Sequence, residues 1–228
     1  MHGTRTRFAG LLLVLLITLA APPAAHAYST RVHISMANRV REALIASADG
    51  RTIRLEWSAY SVTLSEADAA AIVAEPLAFR AGAIGPDNMV FPALTDGTHA
   101  LTQDPFRQCE LLYADALLPS ERAYALGCFL HGATDAVAHH FVNDFTGETF
   151  TLTPLSASRG SAFDNVIGHI TTEGMIQDAF VSADPSWFSA GELDHDIPRS
   201  FVIRNYYSTT SPLWQRLAAD AVERLDAA

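Results

Sequence analysis

His131, Asp135 and His139 stand at i, i+4 and i+8 in the segment Phe129-Leu130-His131-Gly132-Ala133-Thr134-Asp135-Ala136-Val137-Ala138-His139-His140. At about 100° per residue, four helical positions drift by only about 40°, so the three side chains share one face of a helix. His140 points to the opposite face, which makes His139 the better ligand of the adjacent pair. A carboxylate between two imidazoles can bridge two cations, because each oxygen can bind a different one. The plainer alternative is a polar seam satisfied within a helix bundle. Three polar groups on one face of an otherwise apolar helix argue against it, since burying them unpaired costs kilocalories each.

A second pair, His169 and Glu173, repeats the i, i+4 spacing. With His139 it makes two imidazoles and one carboxylate, a set that leaves a coordination position open, as catalytic zinc requires. His33 falls on the apolar side of a first helix with Ala37, Val40 and Leu44, where a core histidine is the plainer reading. Asp87 and His99 sit at a helix break and in a loop, from which side chains can converge on a site. Asp194-His195-Asp196 is metal-like in composition but reads as a solvated loop.

The elements that position these residues read as helical nearly throughout. Thr30 caps a helix to about Ser47, on which Val32, Met36, Val40 and Leu44 recur near 3.6 spacing. Residues 50–63 alternate too weakly to assign. Ser65 with Asp68 resembles a capping box for a helix to about Arg80, broken by Gly82-Ala83-Ile84-Gly85-Pro86-Asp87. Further helices are expected at 106–117, 121–142 and 162–182, with a long loop over 143–160. Pro185, Gly191 and Pro198 punctuate an irregular stretch, and Pro212 opens an amphipathic C-terminal helix. The expected fold is all-α, a single-domain helical bundle over residues 28–228.

Residues 1–27 read as a secretory signal. Arg5 and Arg7 precede the apolar run Leu11 to Ala21, which is too short to favour a spanning helix, and Ala25-His26-Ala27 is a small-x-small cleavage site. The alternative is an uncleaved anchor. Cleavage leaves a secreted or periplasmic chain of 201 residues that begins at Tyr28. Its free α-amine and carbonyl can chelate a metal as a five-membered ring, five residues before His33. Removing Arg5 and Arg7 leaves 13 basic residues against 25 acids, a formal charge of −12, with no lysine at all. That balance argues against non-specific nucleic-acid binding, which depends on cationic contacts to phosphates. Cys109 and Cys128 fit an oxidising compartment. They read either as a disulfide across an antiparallel helix pair or as two buried thiols; as zinc ligands they lack CxxC spacing.

In order, Tyr28, His33, Asp87, His99, His131-x3-Asp135, His139 and His169-x3-Glu173 resemble the ligands of the zinc-dependent phospholipase C and P1/S1 nuclease superfamily. Gly82-Ala83-Ile84-Gly85-Pro86-Asp87 is similar to the family's Gly-Ala-x-x-Pro-Asp segment, and the likeness runs from Tyr28 to about Gln177. Two features depart from the better-known members. Tyr28 stands where they use Trp, and His139 follows Asp135 by four residues rather than six. The shorter spacing looks more like the zinc-dependent phospholipase C/D domain.

The resemblance implies a bundle enclosing three zinc ions. Asp87, His99, His131 and Asp135 would hold one. The Tyr28 amine and carbonyl, His33 and Asp135 would hold its close partner, and His139, His169 and Glu173 the third. It implies attack of a zinc-bound hydroxide on a phosphodiester, with Asp87 and Asp135 as the catalytic carboxylates. Acidity and the final Glu173 favour a phospholipid, met by transient contact with a membrane surface. A single-strand nuclease or 3′-nucleotidase is the alternative within the superfamily, and a non-catalytic helical metal-binding protein is the alternative outside it. Headgroup preference and oligomeric state leave no trace in the sequence.

Overall fold

The computed structural model of the chain describes residues 30–54, 60–88, 106–146, 162–183 and 193–227. The chain is all-α. Helix α1 (Thr30–Ala46) turns Val32, His33, Ile34, Ala37 and Leu44 inward. A two-stranded antiparallel hairpin follows, β1 (Thr52–Arg54) with β2 (Ser61–Thr63), in which Ile53 pairs with Val62. It lies in the stretch that sequence periodicity left unassigned. Three residues per strand are too few for alternation to register. Gly50 at φ 65° turns the chain into β1. Asp49 accepts the backbone N–H groups of Arg51 and Thr52 at 3.0 and 2.9 Å.

Ser65 caps α2 (Glu66–Ala74) by accepting the Asp68 N–H at 3.1 Å, as the capping motif predicts. The helix expected to reach Arg80 is instead two. Pro76 opens α3 (Pro76–Ala83), and Glu75 between them has left helical geometry at φ −118° and ψ 56°. The physical reason is Pro76, which lacks an N–H, is at home at the first helical position and restricts the residue before it. A single turn, α4 (Gly85–Asn88), comes next.

The remaining elements are α5 (Arg107–Asp115), α6 (Pro119–Thr146), α7 (Ala162–Ala183), α8 (Arg199–Val202), a π-helical turn over Ile203–Tyr207, and α9 (Pro212–Ala227). Helix α6 runs past both expected ends, 121 and 142, and takes the first residues of the expected 143–160 loop. It is the spine of the fold, packing against α1, α2, α3, α5 and α7. Its closest neighbour is α3, and glycines permit the approach. A methyl group on Gly82 would overlap the Tyr124 carbonyl, and one on Gly127 the Phe79 carbonyl.

Apolar burial gathers on two sides of α6. One core joins it to α5, α8 and α9 through Leu112, Tyr124, Phe201 and Leu213. The other joins it to α1, α2 and α3 through Leu44, Ile72, Phe79 and Ala123. Cys109 on α5 and Cys128 on α6 form a disulfide with Cα atoms 5.4 Å apart, which decides between the two expectations for them. Among the described residues, no helix is long and apolar enough to cross a membrane.

Candidate metal centre

Helix α1 supplies His33, and α6 supplies His131 and Asp135. The i, i+4 spacing in α6 stacks the second pair on one face, so His131 Nε2 lies 2.9 Å from Asp135 Oδ2. From the neighbouring helix, His33 Nε2 comes within 3.3 Å of Asp135 Oδ1. The two imidazoles stack with ring centroids 4.3 Å apart and planes 30° apart. One donor atom from each of the three residues falls within 4.8 Å of the others. Ligand atoms at the corners of a zinc tetrahedron lie about 3.3 Å apart, given metal–ligand distances near 2.0–2.2 Å. The three residues therefore fit one metal ion, and the geometry is generic among metals that take nitrogen and oxygen ligands.

Burial and hydrogen bonding sharpen the donor set. His33 is 0% and His131 3% exposed. His131 Nδ1 lies 2.9 Å from the Ala83 carbonyl oxygen. A carbonyl can only accept, so Nδ1 carries the hydrogen and donates it. His131 Nε2 then turns either a lone pair or a second proton toward Asp135. A lone pair facing a carboxylate oxygen at that distance is repulsive. The contact is favourable with a proton on Nε2 or with a cation shared between the two. A histidine whose outer nitrogen is fixed by a carbonyl is the usual support of a metal-ligating imidazole.

Asp135 is held ionised. Burial pushes its carboxyl up, but the charge of His131 and the contacts from His131 and His33 outweigh it and hold the pKa well below the ordinary carboxylate range. Thr134, beside it, donates its hydroxyl to the Leu130 carbonyl at 2.8 Å.

The other expected ligands fall differently. Glu173 on α7 is buried, 1% exposed, as an inward-facing ligand requires. Asp87 belongs to α4, His139 to α6 and His169 to α7, but their side chains lie outside the described residues, as does that of His140. Tyr28 and His99 lie outside them altogether. Asp194, His195 and Asp196 are exposed, and among the described residues His195 Nδ1 meets the nearby Leu193 carbonyl, at 3.1 Å. They take no part in the cluster.

Sequence reasoning missed the Ala83 carbonyl that orients His131. Its one trace is the glycine pair, since Gly82 and Gly127 bring the end of α3 against α6. No protein-family model matches the chain, and neither does any curated protein or any solved structure.

Proposed function

We propose that this chain is an exported zinc-dependent phosphodiesterase of the phospholipase C type, acting on the glycerol-side phosphodiester of phospholipids. The observation that carries the reading is Asp135, whose two oxygens each meet a different imidazole among buried side chains. A carboxylate that bridges two cations needs that arrangement. In the full reading, Asp87, His99, His131 and Asp135 would hold one zinc, and Tyr28, His33 and Asp135 a second. His139, His169 and Glu173 would hold the third. Zinc supplies Lewis acidity and lowers the pKa of water at neutral pH.

The chain's own residues set the stage for that chemistry. The Ala83 carbonyl takes the Nδ1 hydrogen of His131 and leaves Nε2 directed inward. Asp135 stays ionised at neutral pH and offers two negative oxygens. Burial of His33 and His131 lowers the local dielectric, so charges act on one another more strongly than in water. Asp87 would orient the attacking water or take its proton. The Cys109–Cys128 disulfide suits an exported protein, since such bonds persist in oxidising compartments.

The test uses the mature protein starting at Tyr28, loaded with zinc. Release of phosphocholine from phosphatidylcholine is measured beside digestion of single-stranded DNA, with zinc stoichiometry on the same sample. Phosphocholine release is expected. DNA digestion alone would move the assignment to a nuclease. Bound zinc with neither turnover would overturn the enzyme reading in favour of a metal-binding protein.

A further inference from the structure

We infer that Gln177 is a further residue of this centre: a positioning residue on α7 whose amide oxygen holds an O–H donor beside Glu173. The inference rests on the reading above. Helix α6 carries His131, Asp135 and His139 at i, i+4 and i+8, and α7 carries His169, Glu173 and Gln177 in the same register. Of the described elements, α7 packs against α6.

Burial on α7 runs against hydrophobicity. Glu173 is 1% and Gln177 7% exposed, whereas Met175 between them is 67% exposed. A helix that turns a methionine to solvent and an acid and an amide inward loses apolar burial and pays desolvation, unless the polar groups meet partners. The Gln177 Oε1 atom is buried and meets no hydrogen-bond donor among the described residues. Buried polar groups in folded proteins are nearly always satisfied. Glu173, one turn away, is acceptor-only when ionised and cannot supply the donor.

We take the missing partner to be an O–H group that no described residue supplies. Water in the centre and the alcohol portion of a phosphodiester substrate share this chemistry. An amide does not titrate, so Gln177 orients that group rather than exchanging protons with it.

The experiment compares wild type with Gln177→Met, which keeps the length and removes the amide, and with Gln177→Glu, which keeps an acceptor. Each mature protein is titrated with zinc, and its Tm is measured in EDTA. If the O–H group is water, Gln177→Met weakens zinc binding about 10–100-fold, the usual effect of losing a residue behind the ligands. If it is the substrate alcohol, zinc binding holds and KM for phosphatidylcholine rises about 10-fold. In both cases Gln177→Glu retains wild-type zinc binding, and the Tm of Gln177→Met in EDTA equals or exceeds that of wild type. A lower Tm in EDTA with zinc binding and KM unchanged would show a packing role and overturn the inference alone. A wild type that binds no zinc would overturn the proposed function, and this inference with it.

Discussion

The two halves of α6 handle buried charge in opposite ways. At its start, Glu121 accepts Arg204 Nη1 and Nη2 at 3.1 Å each and the backbone N–H groups of Leu117 and Leu118 at 2.8 and 3.2 Å. Arg204 also reaches Asp115 Oδ2 at 2.7 Å, where Asn205 donates at 2.8 Å. Fourteen residues on, about 21 Å along the helix, Asp135 meets two imidazoles, those of His131 and His33. A guanidinium is always charged. An imidazole is cationic only when protonated, and in its neutral form it can bind a metal. The first region carries a fixed counter-charge from its own residues, whereas the second meets imidazoles whose charge depends on a proton. The kind of counter-charge, more than burial itself, separates the structural carboxylates from the candidate chemical one.

That contrast can be broken most directly at Asp135. Asp135→Asn removes the bridging charge and is expected to weaken zinc binding by more than about 100-fold, beyond the usual loss for a residue behind the ligands, and to abolish turnover. Full zinc content by elemental analysis would end the bridging role.

The disulfide belongs to the structural half. Replacing Cys109 and Cys128 with Ser should cost about 3 kcal/mol by the loop-entropy account, read from urea unfolding in EDTA, and leave zinc stoichiometry unchanged. A loss of zinc would show that the two halves are coupled.

Arg204→Met should cost about 2 kcal/mol, between the worth of exposed pairs and that of buried ones, because Glu121 is buried while Arg204 is 36% exposed. The acid response supplies a second readout. Burial raises the Glu121 carboxyl, but Arg204 and the N–H groups of Leu117 and Leu118 outweigh it and hold the pKa below its ordinary value. A depressed carboxylate contributes stability above its unfolded pKa, about 4.3, and loses it as pH falls through the folded value. The acid limb of Tm against pH should therefore be shallower in Arg204→Met. An unchanged limb would remove Arg204 as the cause.

Smallest is Ser65→Ala, which deletes the α2 cap for about 1 kcal/mol. Urea midpoints in EDTA should fall accordingly with no change in zinc affinity.

Much of this was legible in the sequence where the cause is local. The Ser65 cap, the i, i+4 partnership of His131 with Asp135 and the inward face of α1 follow from helix geometry within a few residues. Pro76 was legible too, yet the Ala-rich run around it reads as one helix when its missing N–H is not weighed. The hairpin of β1 and β2 escaped because three-residue strands give alternation no length to register. The disulfide was one of two open readings, since the turn between α5 and α6 allows the cysteines to meet without requiring it.

The residue types and spacings alone determined that this chain is helical, that α6 presents an acid between imidazoles on one face, and that His33 lies inward. Tertiary structure decided that His33 on α1 reaches Oδ1 of Asp135, the oxygen opposite the one that meets His131, that Ala83, 48 residues before His131, fixes which imidazole nitrogen turns inward, and that Arg204 closes the other end of α6. The physical reason is distance along the chain. Helical periodicity specifies which side chains share a face, but which faces meet depends on close approaches such as that of Gly82 and Gly127, and those exist only once the helices have packed.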